Sequence, residues 1–258
     1  MTRFFLNFKK YRFLLSQLVE KNIKLKYRNS YLGIVWTLLE PLLTMIVLTL
    51  VFSRLLGKNT QDFPVYILTG RLLFAFYSGA STQALKSVRS HAAMIKKVYV
   101  PKYMYPLATV LSNYITFLIS LIVLVGVALV RHVPITVWVL QAVAPLLIIL
   151  GLTLGTGLIL STAAVFFRDL EYLWGVATMI LMYMSAIFYR AEDVLSPEHR
   201  WIFDLNPVYA CIDNFRSAVF GEPMNLVATA YSVGMAVLLM IVGAVLFYKN
   251  QDKFILHL

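Results

Sequence analysis

Long apolar runs, most of them bounded by basic residues, alternate along this chain. A helical run of about 20 apolar residues matches the hydrocarbon thickness of a bilayer. Six such runs are legible, at about 34–56, 64–85, 105–130, 135–166, 172–190 and 226–248. The fourth is long enough to tilt, or to break near Gly151, Gly155 and Gly157. Gly151 and Gly155 also have the small-xxx-small spacing that permits close helix contact, a pattern common in membrane helices. Residues 3–28 read differently. Phe4, Phe8, Tyr11, Leu15, Leu18 and Leu25 recur at helical spacing, and Lys9, Lys10, Arg12, Lys21 and Lys24 lie mostly off that stripe. This is the pattern of an amphipathic helix in the membrane interface, or of one packed on a partner protein.

The stretch between the fifth and sixth runs carries turn and cap signals. Ser196-Pro197 and Asn206-Pro207 each set a capping residue before a proline at a first helical position. Gly221 stands where a helix begun at Pro207 would stop, and Val208, Cys211, Ile212, Phe215 and Val219 form its apolar stripe. Two short helices are expected within 197–221. The predicted fold is an all-α membrane protein, with an interface helix and linker over 1–33 and a six-helix transmembrane domain over 34–258.

Composition agrees. The chain has 258 residues, 60% hydrophobic and only 14% charged, where soluble domains carry about a quarter charged. A net charge of +11 in a soluble protein would suggest nucleic acid. Here the charges sit at the ends of apolar runs, so no nucleic-acid partner is expected and topology explains them. With the N-terminus cytoplasmic, sixteen of the 23 Lys and Arg residues fall on the inner side, six on the outer side, and Arg71 within a run. The positive-inside bias places both termini in the cytoplasm. One cysteine, Cys211, excludes an intrachain disulfide. The N-terminal residues do not read as a cleavable signal peptide.

Candidate chemistry is sparse. No GxxxxGK[ST] phosphate loop is present, so ATP binding by that route is not expected of this chain. Histidines 91, 132, 199 and 257 are scattered, without metal-ligand spacing. Asp169 and Glu171 could serve a membrane-embedded transferase, or be solvated charges in a turn. Glu40 and Arg71 lie inside runs, each about 10 Å from opposite edges, so a direct pair needs unequal depths or a kink. Intramembrane charge usually faces a cavity or partner helices; for Arg71, snorkelling is the alternative. Aromatics are dense in several runs, among them Phe74, Phe76, Tyr77, Tyr114, Phe117, Tyr183, Phe188 and Tyr189. Interface belts and the apolar faces of sugar rings both suit them.

Five stretches carry a resemblance. Lys24-Leu25-Lys26-Tyr27-Arg28-Asn29-Ser30, followed by Leu32-Gly33, Trp36 and Pro41-Leu42, resembles the N-terminal signature of ABC-2 type polysaccharide exporter permeases. Phe63-Pro64-Val65-Tyr66-Ile67-Leu68 with Gly70, Met94 through Pro101, Phe167-Arg168-Asp169-Leu170, and Asn206-Pro207-Val208 with Phe215-Arg216 and Gly221 are similar to that family in the same order. Arg71 and Glu40 depart from it, standing where an apolar residue and Asn are usual.

The resemblance implies half of a transporter in the cytoplasmic membrane of a bacterium or archaeon. Two copies would form the channel, and two separate ATPase subunits would bind ATP and Mg. The cargo would be a lipid-linked O-antigen, capsule or teichoic-acid chain. It implies a coupling loop over 86–104 with His91, Met94, Lys96, Lys97, Tyr99 and Pro101, and an interface linker with Lys26, Arg28, Gly33 and Trp36. Conduit candidates are Glu40, Arg71, Phe74, Tyr77, Tyr114, Tyr183 and Tyr189; outer-gate candidates are Asn206, Pro207, Phe215 and Arg216. The alternatives are a drug or lipid exporter, a transferase using Asp169 and Glu171, and a secondary transporter, which would usually show internal repeats.

Overall fold

A computed structural model describes residues 2–28, 30–55, 62–97, 100–134, 136–191 and 201–254, with side chains described from residue 11 onward apart from 54 and 55. Among the described residues the fold is all helical. Helix α1 (Thr2–Tyr27) is followed by a 3-10 turn at Gly33–Val35 and α2 (Trp36–Leu55). Then come α3 (Phe63–Ser90), the single turn α4 (Ala92–Ile95) and α5 (Met104–Val130). A 3-10 segment at Val137–Ala142 leads into α6 (Val143–Phe166), and α7 (Leu170–Tyr183) follows. The chain closes with α8 (Trp201–Asp204), α9 (Pro207–Phe220) and α10 (Leu226–Asn250).

Four helical stretches are long and apolar enough to cross a membrane: Gly33–Ser53, Met104–Val130, Val137–Phe166 and Leu226–Lys253. Helix α3 has 28 residues but is rich in Ser, Gly and Thr and carries Arg71, Lys86 and Arg89. It is the central helix, packed along α5 and α6 and buried over most of its length, so it needs no lipid-facing apolar surface. The fifth apolar run, read as 172–190, is helical only to Tyr183. Its 14 helical residues span about 21 Å at the usual rise, short of a bilayer core. Residues 184–190 follow in turns and bends, with Ala186 at φ +44°.

The glycines of the fourth run do not break it. Helix α6 is continuous through Gly151, Gly155 and Gly157, and the irregularity lies earlier, at Val137–Ala142. The glycines serve packing instead. A Cβ on Gly155 would stand 2.6 Å from the Leu239 backbone carbon of α10, and one on Gly243 would stand 2.8 Å from the Gly155 carbonyl oxygen. A Cβ on Gly157 would stand 3.0 Å from the Ala84 methyl of α3. The α6–α10 contact is thus backbone against backbone.

Two apolar clusters mark the ends of the bundle. At one end Leu15 and Leu18 of α1 join Val88, Ile95, Met104, Tyr105, Val165, Phe247 and Phe254. The middle of α1 therefore packs on the ends of its own chain's helices at this side of the bundle. At the other end Val208, Cys211, Ile212 and Phe215 bury the predicted stripe of α9 in the main core with α3 and α6. These are called the α1 end and the α9 end below. Of the first short helix expected from Pro197, residues 197–200 lie outside the described residues and the described part is the one turn of α8.

Candidate functional site

At the α1 end the linker is built by local chemistry. The Ser30 hydroxyl accepts from the Gly33 N–H at 3.1 Å, and Thr37 donates to the Ile34 carbonyl at 2.6 Å. Gly33 takes φ +50°, which L side chains rarely adopt, so it is the residue at which the chain turns from α1 into α2. Lys26, Arg28 and Trp36 are exposed around this turn. Helix α2 runs on through Pro41. Glu40 is exposed, and its carboxylate lies close enough to the Tyr27 phenol to reinforce burial in pushing that group's pKa upward. Among the described residues no ion pair joins Glu40 to Arg71, which is half-buried in α3.

Helix α3 continues to Ser90, so the first residues of the expected coupling segment at 86–104 are helical. His91 marks the break. Its Nδ1 donates to the Ser87 carbonyl at 2.8 Å and its ring stacks on Tyr105 with centroids 4.6 Å apart. Ile95 is buried in the α1-end cluster, while Met94, Lys96 and Lys97 are exposed. One turn of helix therefore stands anchored by an apolar residue, with a thioether and two ammonium groups outward. Pro101 is half-buried, and Tyr99 lies outside the described residues. Beside it Lys102 donates to the Gln251 carbonyl and lies 5.8 Å over the Phe254 ring. Burial pulls its ammonium below the usual pKa, against the opposite pull of Asp252.

The aromatic conduit candidates separate into two groups. Phe74 and Tyr77 are 3% and 5% exposed, inside the main core, so neither offers a face to a path on the surface of this chain. Tyr114 packs with Phe76 and Phe117 and donates to the Leu146 carbonyl at 3.2 Å. Tyr183 is 56% exposed on α7, no residue of which is buried. Tyr189 is half-buried and its hydroxyl reaches the Tyr183 carbonyl. Asp169 is exposed, and Glu171 pairs with Lys86.

At the α9 end Asn206 caps α9 by accepting from the Val208 N–H at 3.0 Å. Its amide also donates to the Met184 carbonyl and the Ser185 hydroxyl, both at 3.1 Å. The cap thus holds the segment after α7. Pro207 opens the helix, and Gly221 closes it at φ +80°. Phe215 is buried in the core. Arg216 is 4% exposed. Its Nη1 donates to the Tyr66 hydroxyl at 2.9 Å and its Nη2 to the Ile187 carbonyl at 3.2 Å, and the guanidinium lies 3.6 Å over the Tyr66 ring. Gly70 makes room: a Cβ there would stand 2.5 Å from Nη2. A cavity of about 620 Å³ adjoins this arrangement, lined by Asp62, Tyr66, Arg190, Asp213 and Glu222 among others.

The sequence reading missed a polar wall at the α1 end. Thr109, Ser112, Asn113 and Thr116 share one face of α5, and with Gln83 and Ser87 of α3 and Asn22 and Lys26 of α1 they line a cleft of about 430 Å³. The signal was the helical spacing of hydroxyl and amide groups inside an otherwise apolar run.

A family model described as ABC-2 type transporter matches residues 14–220. An O-antigen export system permease protein, RfbA, of Klebsiella pneumoniae is 28% identical over 244 residues, covering 93% of each chain. A protein of the same description from Myxococcus xanthus is 25% identical over 251 residues, covering 95% of each. The polysialic acid transport protein KpsM of Escherichia coli is 22% identical over 243 residues, covering 90% of this chain and 91% of that one.

Proposed function

From the chain's membership of the ABC-2 type transporter family we propose that it is the permease subunit of an ATP-driven exporter that moves a lipid-linked cell-surface polysaccharide across the cytoplasmic membrane. The observation that carries this is the alignment with O-antigen and polysialic acid transport proteins over nine-tenths or more of each chain.

In this reading the chain performs no covalent chemistry. ATP and Mg belong to a separate ATP-binding subunit, present twice, that meets the α1 end. The anchored turn of α4, with Met94, Lys96 and Lys97 outward, has the form of a surface on which such a subunit pushes. The basic residues of α1, with Lys96 and Lys97 just after α4, favour this end as cytoplasmic, with both termini there. Six crossings follow if α3, buried among its neighbours, and α7, with its continuation to residue 190, are counted with the four apolar helices. A second copy would meet the apolar faces that α2 and α7 leave exposed, which include Leu43, Val47 and Leu50 on α2 and Leu173, Val176 and Ile180 on α7. Residues 207–221 at the α9 end would serve as the outer gate.

The test is purification of the tagged chain from membranes of its source organism, with mass spectrometry and an ATPase assay. The expected result is an ATPase subunit in equal amount, reduced when Lys96 and Lys97 are replaced by alanine. A chain that purifies alone, without nucleotide hydrolysis, overturns the reading.

A further inference from the structure

The cleft between α1, α3 and α5 carries hydroxyl and amide side chains at a depth where a membrane helix is ordinarily apolar. By helical rise Gln83 lies about 10 Å from the end of α3, and Asn113 about 14 Å from the start of α5. Polar side chains at such depth are costly and mark binding sites or substrate paths. The hydroxyls of Thr109, Ser112 and Thr116 donate to carbonyls of their own helix at 2.9 Å each, so toward the cleft they offer lone pairs only. The amides behave differently. Asn113 Nδ2 donates to Gln83 Oε1 at 3.0 Å and to the Thr109 carbonyl at 2.8 Å. Asn113 Oδ1 and Gln83 Nε2 have no further partner among the described residues. One bridged amide pair therefore holds an open acceptor beside an open donor.

Resting on the exporter reading, we propose that this cleft binds the sugar-bearing phosphate head of a membrane lipid, with the Gln83–Asn113 pair recognising hydroxyl or amide groups of the sugar. Hydroxyls both donate and accept, which matches the acceptor-only wall and the mixed amide pair. The volume of about 430 Å³ lies in the range of small-molecule sites. Lys26, exposed at the mouth, supplies a cation for the phosphate, while the charge of Lys86 is shared with Glu171. Ile23 and Leu25 on α1 provide an apolar flank for the lipid chain. A phosphate without a sugar would use the lysine and gain nothing from the amide pair, whose open donor and acceptor each add a hydrogen bond only when a sugar is present.

The full chain in phosphatidylcholine nanodiscs is titrated separately with undecaprenyl diphosphate N-acetylglucosamine, with undecaprenyl diphosphate, and with phosphatidylglycerol, and binding is read by native mass spectrometry. The expected result is about tenfold tighter retention of the sugar-bearing probe than of the bare diphosphate, the effect of one to two net hydrogen bonds. Gln83→Leu and Asn113→Leu should abolish that ratio while leaving bare diphosphate retention unchanged, and Lys26→Gln should weaken both diphosphates by the same factor. Equal retention of the two diphosphates by the wild-type chain overturns the proposal whatever the variants do. So does phosphatidylglycerol bound as tightly as the sugar-bearing probe, which would identify an ordinary phospholipid site. Co-purification of an ATPase is scored separately, so loss of the exporter reading and loss of the sugar site are distinguishable.

Discussion

The α9 end buries a guanidinium among protein acceptors, whereas the α1 end leaves amides and hydroxyls open beside an apolar joint. At the α9 end Arg216 and Asn206 tie α9, the start of α3 and residues 184–190 into one body through hydrogen bonds with fixed directions. At the α1 end the helices meet through Leu15, Val88, Ile95, Phe247 and Phe254, contacts that have no direction and let surfaces slide. Polar staples give rigidity and apolar joints permit adjustment. If the chain is an exporter driven from the α1 end, as proposed, it would need the second kind where the push arrives and the first where a seal must hold.

The comparison breaks most readily at the apolar joint. Phe254→Ala removes a fully buried ring that contacts Phe166 and Phe247. It should destabilise the chain by about 3–5 kcal/mol, read as a lower unfolding temperature in detergent. Arg216→Leu at the opposite end leaves the Ile187 carbonyl without its donor and should cost about 3 kcal/mol, with Arg216→Lys recovering part. A loss confined to the joint would show that the staple is dispensable. Gly155→Ala drives a methyl into the Leu239 backbone and should cost about 1–3 kcal/mol. Gly175→Ala, with open space around it, should not lower the unfolding temperature, since alanine is the better helix former. Lys86→Gln breaks a partly exposed ion pair and should shift stability by about 0.5 kcal/mol or less.

Much of this was legible from the chain alone. Cap chemistry located α9 to the residue, because Asn206, Pro207 and Gly221 act on their own neighbours. Gly33 entered through the family resemblance, as part of the linker, and its positive φ is a finding of the structure. The end of α7 was not legible: residues 184–189 remain largely apolar, and what holds them in turns is an amide 22 positions away in Asn206. Tyr66 and Arg216 meet across 150 positions, a pairing that no local pattern announces. Aromatic density could not separate Phe74 and Tyr77, which fill the core, from Tyr183, which faces outward. The polar wall of α5 escaped notice because each hydroxyl is individually acceptable in a membrane helix; only the placement of α1 and α3 turns the face into a cleft.

The glycine contact between α6 and α10 has a kinematic consequence. There is no room for a side chain at Gly155 or Gly243, so rolling either helix would turn a side chain into the contact and force the pair apart. The pair acts as a stator, and α3 is wedged to it through Gly157 and Ala84. In the proposed transport cycle α2 and α7, whose apolar faces lie exposed, would be the swinging arms. The Gly33 turn would be where one of those arms hinges.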